Sequence, residues 1–429
     1  MPDRIHLGFE VGSGERVSIP LHHIAVTGQT RWSGKTTALE ALLSRLPAGF
    51  RALVFRTKRG EIEFRDAHIH APFYKEQRVG DNIDWEYVQS VLEAAMKQRL
   101  RFERSWIIKA SKGAQSLQDV YAYIQGQLDG GVRLRGLDES IWTNHGAYFE
   151  KVLPQLEQNP FAGALELEPG LNLMDLGHLH EEVQALVISA CLEELAKVGV
   201  NTYVVVPEAW KFIPQQRGNP VKWAAQHVIR EGGASNLFLA LDSQDIAAVE
   251  KSILKSVGVW LLGRQMEANE VRRVLTQVPM GKPSAQSIMT LPVGHFHVAT
   301  ESWCRLIYVQ PAWLDEETAR KVALGEIQAV APSVYPALVA TDSLENMETV
   351  RNHSTASAVE EDPMMIADLR VQLANAEIQR DELQRKLEQA EIHFKAGDSS
   401  IVQLARERDL LLDAKARLEE ELATQSTAL

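Results

Sequence analysis

His23-Ile-Ala-Val26-Thr-Gly28-Gln-Thr30-Arg-Trp32-Ser33-Gly34-Lys35-Thr36-Thr37 carries a short β-type run into a polar turn ending Gly-Lys-Thr, and the helical pattern Ala38-Leu39-Glu40-Ala41-Leu42-Leu43 follows at once. Strand, glycine-bearing loop and helix is the context that a phosphate-binding P-loop requires. Loop and helix-terminal N–H groups face the phosphates, the lysine reaches the terminal ones, and the following hydroxyl ligates Mg²⁺. The stretch therefore implies a nucleoside triphosphate, with ATP and Mg²⁺ as the expected pair. Its expected contacts are Gly28, Thr30, Ser33, Gly34, Lys35, Thr36 and Thr37. Five residues separate Gly28 from Gly34, one more than the consensus allows, and Trp32 stands where a further glycine is common. A chance Ser-Gly-Lys-Thr turn capping an ordinary helix is the alternative, and the strand before it argues against that.

Around this motif the chain alternates. Residues 4–20 pattern as a hairpin, and strand signals recur at Ala52–Phe55, Leu171–Met174, Thr202–Val206, Leu237–Ala240 and Val257–Leu262. Helical stretches at Glu181–Val198 and Val221–Arg230 separate the later strands. Strands alternating with helices predict an α/β fold with a mostly parallel sheet covered on both faces. Residues 84–157 pattern as a helical insertion that includes the basic run Lys97-Gln-Arg99-Leu-Arg101-Phe-Glu-Arg104. A solvated helix face is the ordinary account of such a run, and phosphate contact the sharper one.

The formal charge is −12, but it is unevenly spread. Residues 312–362 carry net −7 and residues 363–429 net −4, which leaves about −1 for the first 311. A near-neutral core neither favours nor excludes nucleic acid. The acidic stretch 312–362 reads as a linker, with a short helix at Glu316–Glu326. From Ile366 a heptad frame runs unbroken to Leu422, so residues 363–427 are expected to form a coiled coil of roughly 85 Å. Arg380, Arg408 and Lys415 at a positions and Gly397 at d make its seam weak. No apolar run is long enough to span a bilayer. Met1–His6 lacks an apolar leader, and two cysteines cannot build a disulfide framework, so a cytoplasmic protein is expected. His22/His23 and His178/His180 lack further ligands at metal spacing.

A second block carries chemistry. Tyr203-Val-Val-Val206-Pro207-Glu208-Ala209-Trp210 is an apolar strand with an acid at its C-terminal tip, as in a Walker B segment. His227-Val-Ile-Arg230-Glu231-Gly232-Gly233 and Leu237-Phe-Leu-Ala-Leu-Asp-Ser-Gln244 follow, and Leu291-Pro-Val-Gly294-His-Phe-His297-Val closes the region. This order resembles the HerA/FtsK branch of P-loop ATPases over roughly residues 15–311. The resemblance implies a RecA-like ATPase domain at 1–311, a hexameric ring and double-stranded DNA driven through its pore. It implies that Glu208 polarises the attacking water, that Gln244 senses the γ-phosphate, and that an arginine from a neighbouring subunit completes the site. Arg230 and Arg264 are the candidates; Arg272 and Arg273 also fit a solvated helix face. Two departures matter: Pro207 stands at the Walker B aspartate, and Gly233 replaces a second arginine. Asp175 is the expected substitute metal ligand beside Thr36; as a plain helix cap it has no such role. The coiled coil would recruit a protein partner. A nucleotide-dependent scaffold with weak or no hydrolysis is the alternative function; a small-molecule P-loop kinase fits poorly.

Overall fold

The computed structural model describes residues 4–29, 33–58, 64, 66–130, 136–278 and 281–329. Thr30, Trp32, most of the acidic linker and the whole heptad region lie outside the described residues. The strands are β1 Arg4–Glu10, β2 Arg16–Pro20, β3 Ile24–Thr27, β4 Arg51–Arg56, β5 His68–His70, β6 Arg78–Val79, β7 Asn82–Ile83, β8 Gly170–Asp175, β9 Thr202–Val206, β10 Leu237–Ser243, β11 Val259–Leu262, β12 His295–Ala299 and β13 Cys304–Val309. The helices are α1 Lys35–Leu43, α2 Trp85–Met96, α3 Arg104–Ser111, α4 Leu117–Asp129, α5 Gly136–Gln158, α6 Glu181–Val198, α7 Ala209–Phe212, α8 Pro220–Glu231, α9 Lys251–Leu254, α10 Ala268–Gln277, α11 Ala285–Met289 and α12 Glu316–Leu324.

Eleven strands make one sheet in the order β2-β1-β13-β12-β11-β3-β10-β9-β4-β8-β5. The seven from β11 to β5 run parallel, and the four on the other side are antiparallel. Parallel strands need both faces covered, so their sequences read as unbroken apolar runs. Every residue of β3, β9 and β11 is buried accordingly. One face packs on α1 through Ala38, Leu39 and Leu42. The other packs on α6, α8 and the inserted helices, which supply Val187, Ile188, Val228 and Trp142. The insertion is as expected: α2–α5 separate β7 from β8. Asn172, fully buried in β8, keeps its place because its amide donates to the carbonyls of Ala52, Glu168 and Gly170.

The hairpin β1/β2 pairs with β13 as the rim of the sheet. Packing continues beyond Pro311 as well. The stripe Ala319, Val322 and Ala323 on α12 lies with Leu314 against Phe9 and Tyr308, inside the stretch whose composition reads as linker. Among the described residues no helix is long and apolar enough to cross a membrane.

Candidate functional site

Four neighbouring parallel strands, β3, β10, β9 and β4, end at one edge of the sheet, and the chain after each tip supplies a polar group. From β3 the loop turns into α1. Gly34 caps that helix at φ 75°, a left-handed conformation that glycine adopts without strain. A side chain at Gly28 would put its Cβ 2.6 Å from that of Ser33, so the loop closes only with glycine there. Ser33 Oγ donates to the Gln29 carbonyl at 2.8 Å, and Lys35 Nζ to the Gly28 carbonyl at 2.9 Å. No acid occupies the first turn of α1, which leaves the positive end of its dipole uncompensated. Thr36 and Thr37 follow in that first turn, both half-buried.

Glu208 sits beyond β9 in a left-handed conformation, φ 45°, where it caps α7. Its carboxylate accepts hydrogen bonds from Lys58 Nζ, from Trp210 Nε1 at 2.6 Å and from Gln244 Nε2 at 3.3 Å. Burial pushes this carboxyl up, but the Lys58 and Trp210 hydrogen bonds and the Lys58 charge outweigh it and hold Glu208 below its ordinary value. Glu208 and Gln244, separately inferred from sequence, are thus in direct contact. Lys58 and Trp210 are not legible in the sequence as site residues.

Asp242 is not either. Leu241 of β10 pairs with Val206 of β9, so Asp242 lies level with Pro207 on the next strand toward the P-loop. It also pairs with Val26 of β3. Its Oδ1 lies 3.8 Å from Lys35 Nζ and has no hydrogen-bond partner. Burial pushes the Asp242 carboxyl up to about 6, Lys35 pulls it down, and Glu208 adds to the rise. A lone acid in a buried apolar strand is the sequence signal that could have found it.

Asp175 corrects an expectation. It ends β8, four strands from β3, which at the spacing of a sheet is roughly 19 Å. There it pairs with Arg56 at 3.2 Å and accepts from the Gly177 amide at 3.0 Å. Nor does it cap the helix that follows, because the N-cap of α6 is His180; beside Lys35 the acid is Asp242. Asp242 Oδ1, buried and without a hydrogen-bond partner, is the carboxylate oxygen beside the P-loop lysine, and with the Thr36 hydroxyl it is of the hard-oxygen type that would suit a magnesium ion. Arg264 follows β11, and its carbonyl accepts from the Gln29 amide at 2.8 Å, so it borders the P-loop of its own chain. Its Nε is buried without a hydrogen-bond partner. Arg230 is exposed at the C-terminal end of α8, before the turn that enters β10, away from the Glu208 cluster. Arg273 pairs with Glu270 of its own helix at 2.8 Å.

Asp242→Asn separates stability from function. In wild type the folded-state pKa lies above the unfolded one, so the folded chain binds the proton more tightly. That advantage is full below about pH 4, disappears between pH 4 and 6, and leaves folding penalised above. Without nucleotide, the Asn variant should exceed wild type by roughly 1–3 kcal/mol at pH 8, discounted for the lost attraction to Lys35. The difference should shrink toward pH 4 in urea unfolding. The same variant should bind ATP more weakly in the presence of Mg²⁺.

The fold has solved relatives. VirB4 of Thermoanaerobacter pseudethanolicus aligns with a TM-score of 0.54 at 13% identity over 72% of this chain and 97% of that one. The bacterial conjugative coupling protein TrwBdeltaN70 aligns at 0.48 and 13% identity, over 71% and 88%. The genome packaging NTPase B204 from Sulfolobus turreted icosahedral virus 2 aligns at 0.36 and 10% identity, over 69% and 100%. No protein-family model and no curated protein matches the sequence. The likeness to VirB4 is one of fold: a mostly parallel α/β sheet covered by helices, the fold that the motif order leads one to expect.

Proposed function

We propose that this chain hydrolyses ATP as a motor on double-stranded DNA, working as a ring and coupled to a protein partner through its C-terminal coiled coil. The observation that supports it is the meeting of Lys35, Asp242, Glu208 and Gln244 at the tips of β3, β10 and β9. Triphosphate hydrolysis needs little covalent help from protein; it needs positioning and charge stabilisation, and this arrangement offers both.

In this reading the N–H groups at the start of α1, with Ser33 and Thr37, hold the phosphates. Lys35 exchanges the Gly28 carbonyl for the terminal phosphate oxygens. Thr36 and Asp242 would hold Mg²⁺, which supplies charge neutralisation between the β- and γ-phosphates. Glu208 orients water in line with the γ-phosphorus. The water oxygen bonds to phosphorus, the bond to the β-phosphate oxygen breaks, and ADP leaves. Gln244 reports phosphate occupancy to Glu208 through their hydrogen bonds. Arg264 acts within its own subunit, and Arg230, being exposed, is the candidate for donation to a neighbour.

The Lys58 ion pair favours a second reading, in which Glu208 is restrained and the protein is a nucleotide-dependent scaffold with little turnover. Steady-state ATP hydrolysis with and without linear duplex DNA decides between them. The motor requires turnover that duplex stimulates, together with a ring stabilised by ATP in native mass spectrometry. Tight ATP binding with no hydrolysis under either condition selects the scaffold.

A further inference from the structure

A cleft of about 470 Å³ opens on the inserted helices, away from the nucleotide loop, between α2 and its basic turn on one side and the chain leading into α8 on the other. Arg99, Arg101, Arg104 and Arg217 line it, with Trp85 and Trp223. We propose that this cleft binds single-stranded nucleic acid, with the arginines on phosphates and the tryptophans under bases.

The arginines are weakly engaged. Arg99 donates to the Gln215 carbonyl at 3.3 Å, and Arg101 has no ion pair among the described residues. Arg104 and Glu86 are 3.9 Å apart, with both side chains more than half exposed. Arg217 and Glu181 are also 3.9 Å apart. Four guanidinium groups in one concave surface focus a positive potential, and each can hold a phosphate through paired N–H donors. Three acids, Asp84, Glu86 and Glu93, line the cleft with the four arginines and Lys222, so the balance of charge stays positive. Glu93 accepts from Gln89 and from the Leu100 amide, and Asp84 caps α2. Glu93 also packs closely against the facing wall: a Cβ at Gly218 would lie 1.8 Å from its carboxylate.

The aromatic rings decide which polyanion. Arg104 already lies over the Trp85 ring at 4.4 Å, and Trp223 is 52% exposed. Exposed rings beside arginines form a platform for unstacked bases. A duplex hides its base faces, and a cleft this size admits single nucleotides rather than a helix. Phosphopeptides would use the arginines and leave the tryptophans idle.

The cleft is also tied to the ATP site. Glu181 lies within 4.0 Å of Lys97 in the basic turn, of Lys211 in α7 and of Arg217. Glu208 caps that same α7. Phosphate drawn to Arg217 therefore competes with Glu181, the carboxylate that also pairs with Lys211 of α7, the helix beyond Glu208.

Fluorescence anisotropy with a labelled oligo-dT strand, on the full chain without nucleotide, tests the proposal. Arg99→Glu/Arg101→Glu should weaken binding at least tenfold and lower the salt slope by about 1.4. Trp223→Ala should weaken it about 5- to 150-fold, and Trp223→Phe should restore most of that. Lys35→Ala should bind the strand as wild type does, which separates this site from the ATPase reading. Unchanged affinity in Trp223→Ala would overturn it. So would binding of a duplex of the same length that the arginine and Trp223 variants weaken as much as they weaken the strand, or displacement of the strand by a phosphopeptide at matched charge.

Discussion

Glu208→Gln is expected to bind ATP within a few-fold of wild type and to lose roughly 10²–10⁴ in turnover. The amide is isosteric, and its oxygen can still accept from Trp210 Nε1 or Gln244 Nε2, both bonded to the carboxylate in wild type. What disappears is the negative charge, and with it the pull on a water proton as phosphorus is attacked. The Lys58 and Trp210 bonds that hold Glu208 below its ordinary pKa also keep it ionised throughout the neutral range. A group so stabilised is a weak base, so its larger contribution is to orient water and stabilise the protons on it. Glu208 should accordingly add no acidic limb to the rate between pH 6 and 8. Nucleotide binding by fluorescence and single-turnover hydrolysis check the two halves separately. Equal single-turnover rates in variant and wild type would assign the base elsewhere.

Much of this site is legible in sequence for one physical reason. Parallel strands covered on both faces must be apolar throughout, so polar residues immediately after them stand out. Glu208 just beyond the apolar run Thr202–Val206, and Gln244 just beyond Leu237–Ser243, are visible that way. Lateral strand order is not visible. Asp175 ends a strand as plausible as any, and only the pairing places β8 four strands from β3 and β10 next to it. Asp242 stands out as an acid in an apolar strand, but its place beside Lys35 does not, since nothing in its neighbours names β3 and β9 as its flanks. Lys58 lies in a basic turn whose sequence suggests solvent, and meets Glu208 only because β4 pairs with β9. At the C-terminal side, α12 has too short a stripe, with two alanines around Val322, to distinguish packed helix from linker.

Lys35→Ala should reduce kcat/KM for ATP by roughly 10³-fold or more, since it removes the positive charge placed for the terminal phosphates. Among the described residues no other base is placed to take over: Lys58 is engaged with Glu208 beyond β9, and Arg264 meets the loop through its carbonyl. The substitution has a structural cost as well. Lys35 Nζ closes the loop on the Gly28 carbonyl at 2.9 Å and is the cation nearest Asp242. Without it, the buried Asp242 carboxyl should rise further and remain protonated closer to neutrality. A double variant, Lys35→Ala with Asp242→Asn, separates the two effects. It removes the unpaired acid, so stability should recover while ATP turnover stays lost. Coupling of that kind marks residues that share one site rather than two independent ones. If the double variant recovers both stability and turnover, Lys35 is a structural counter-ion, and the phosphates are bound elsewhere.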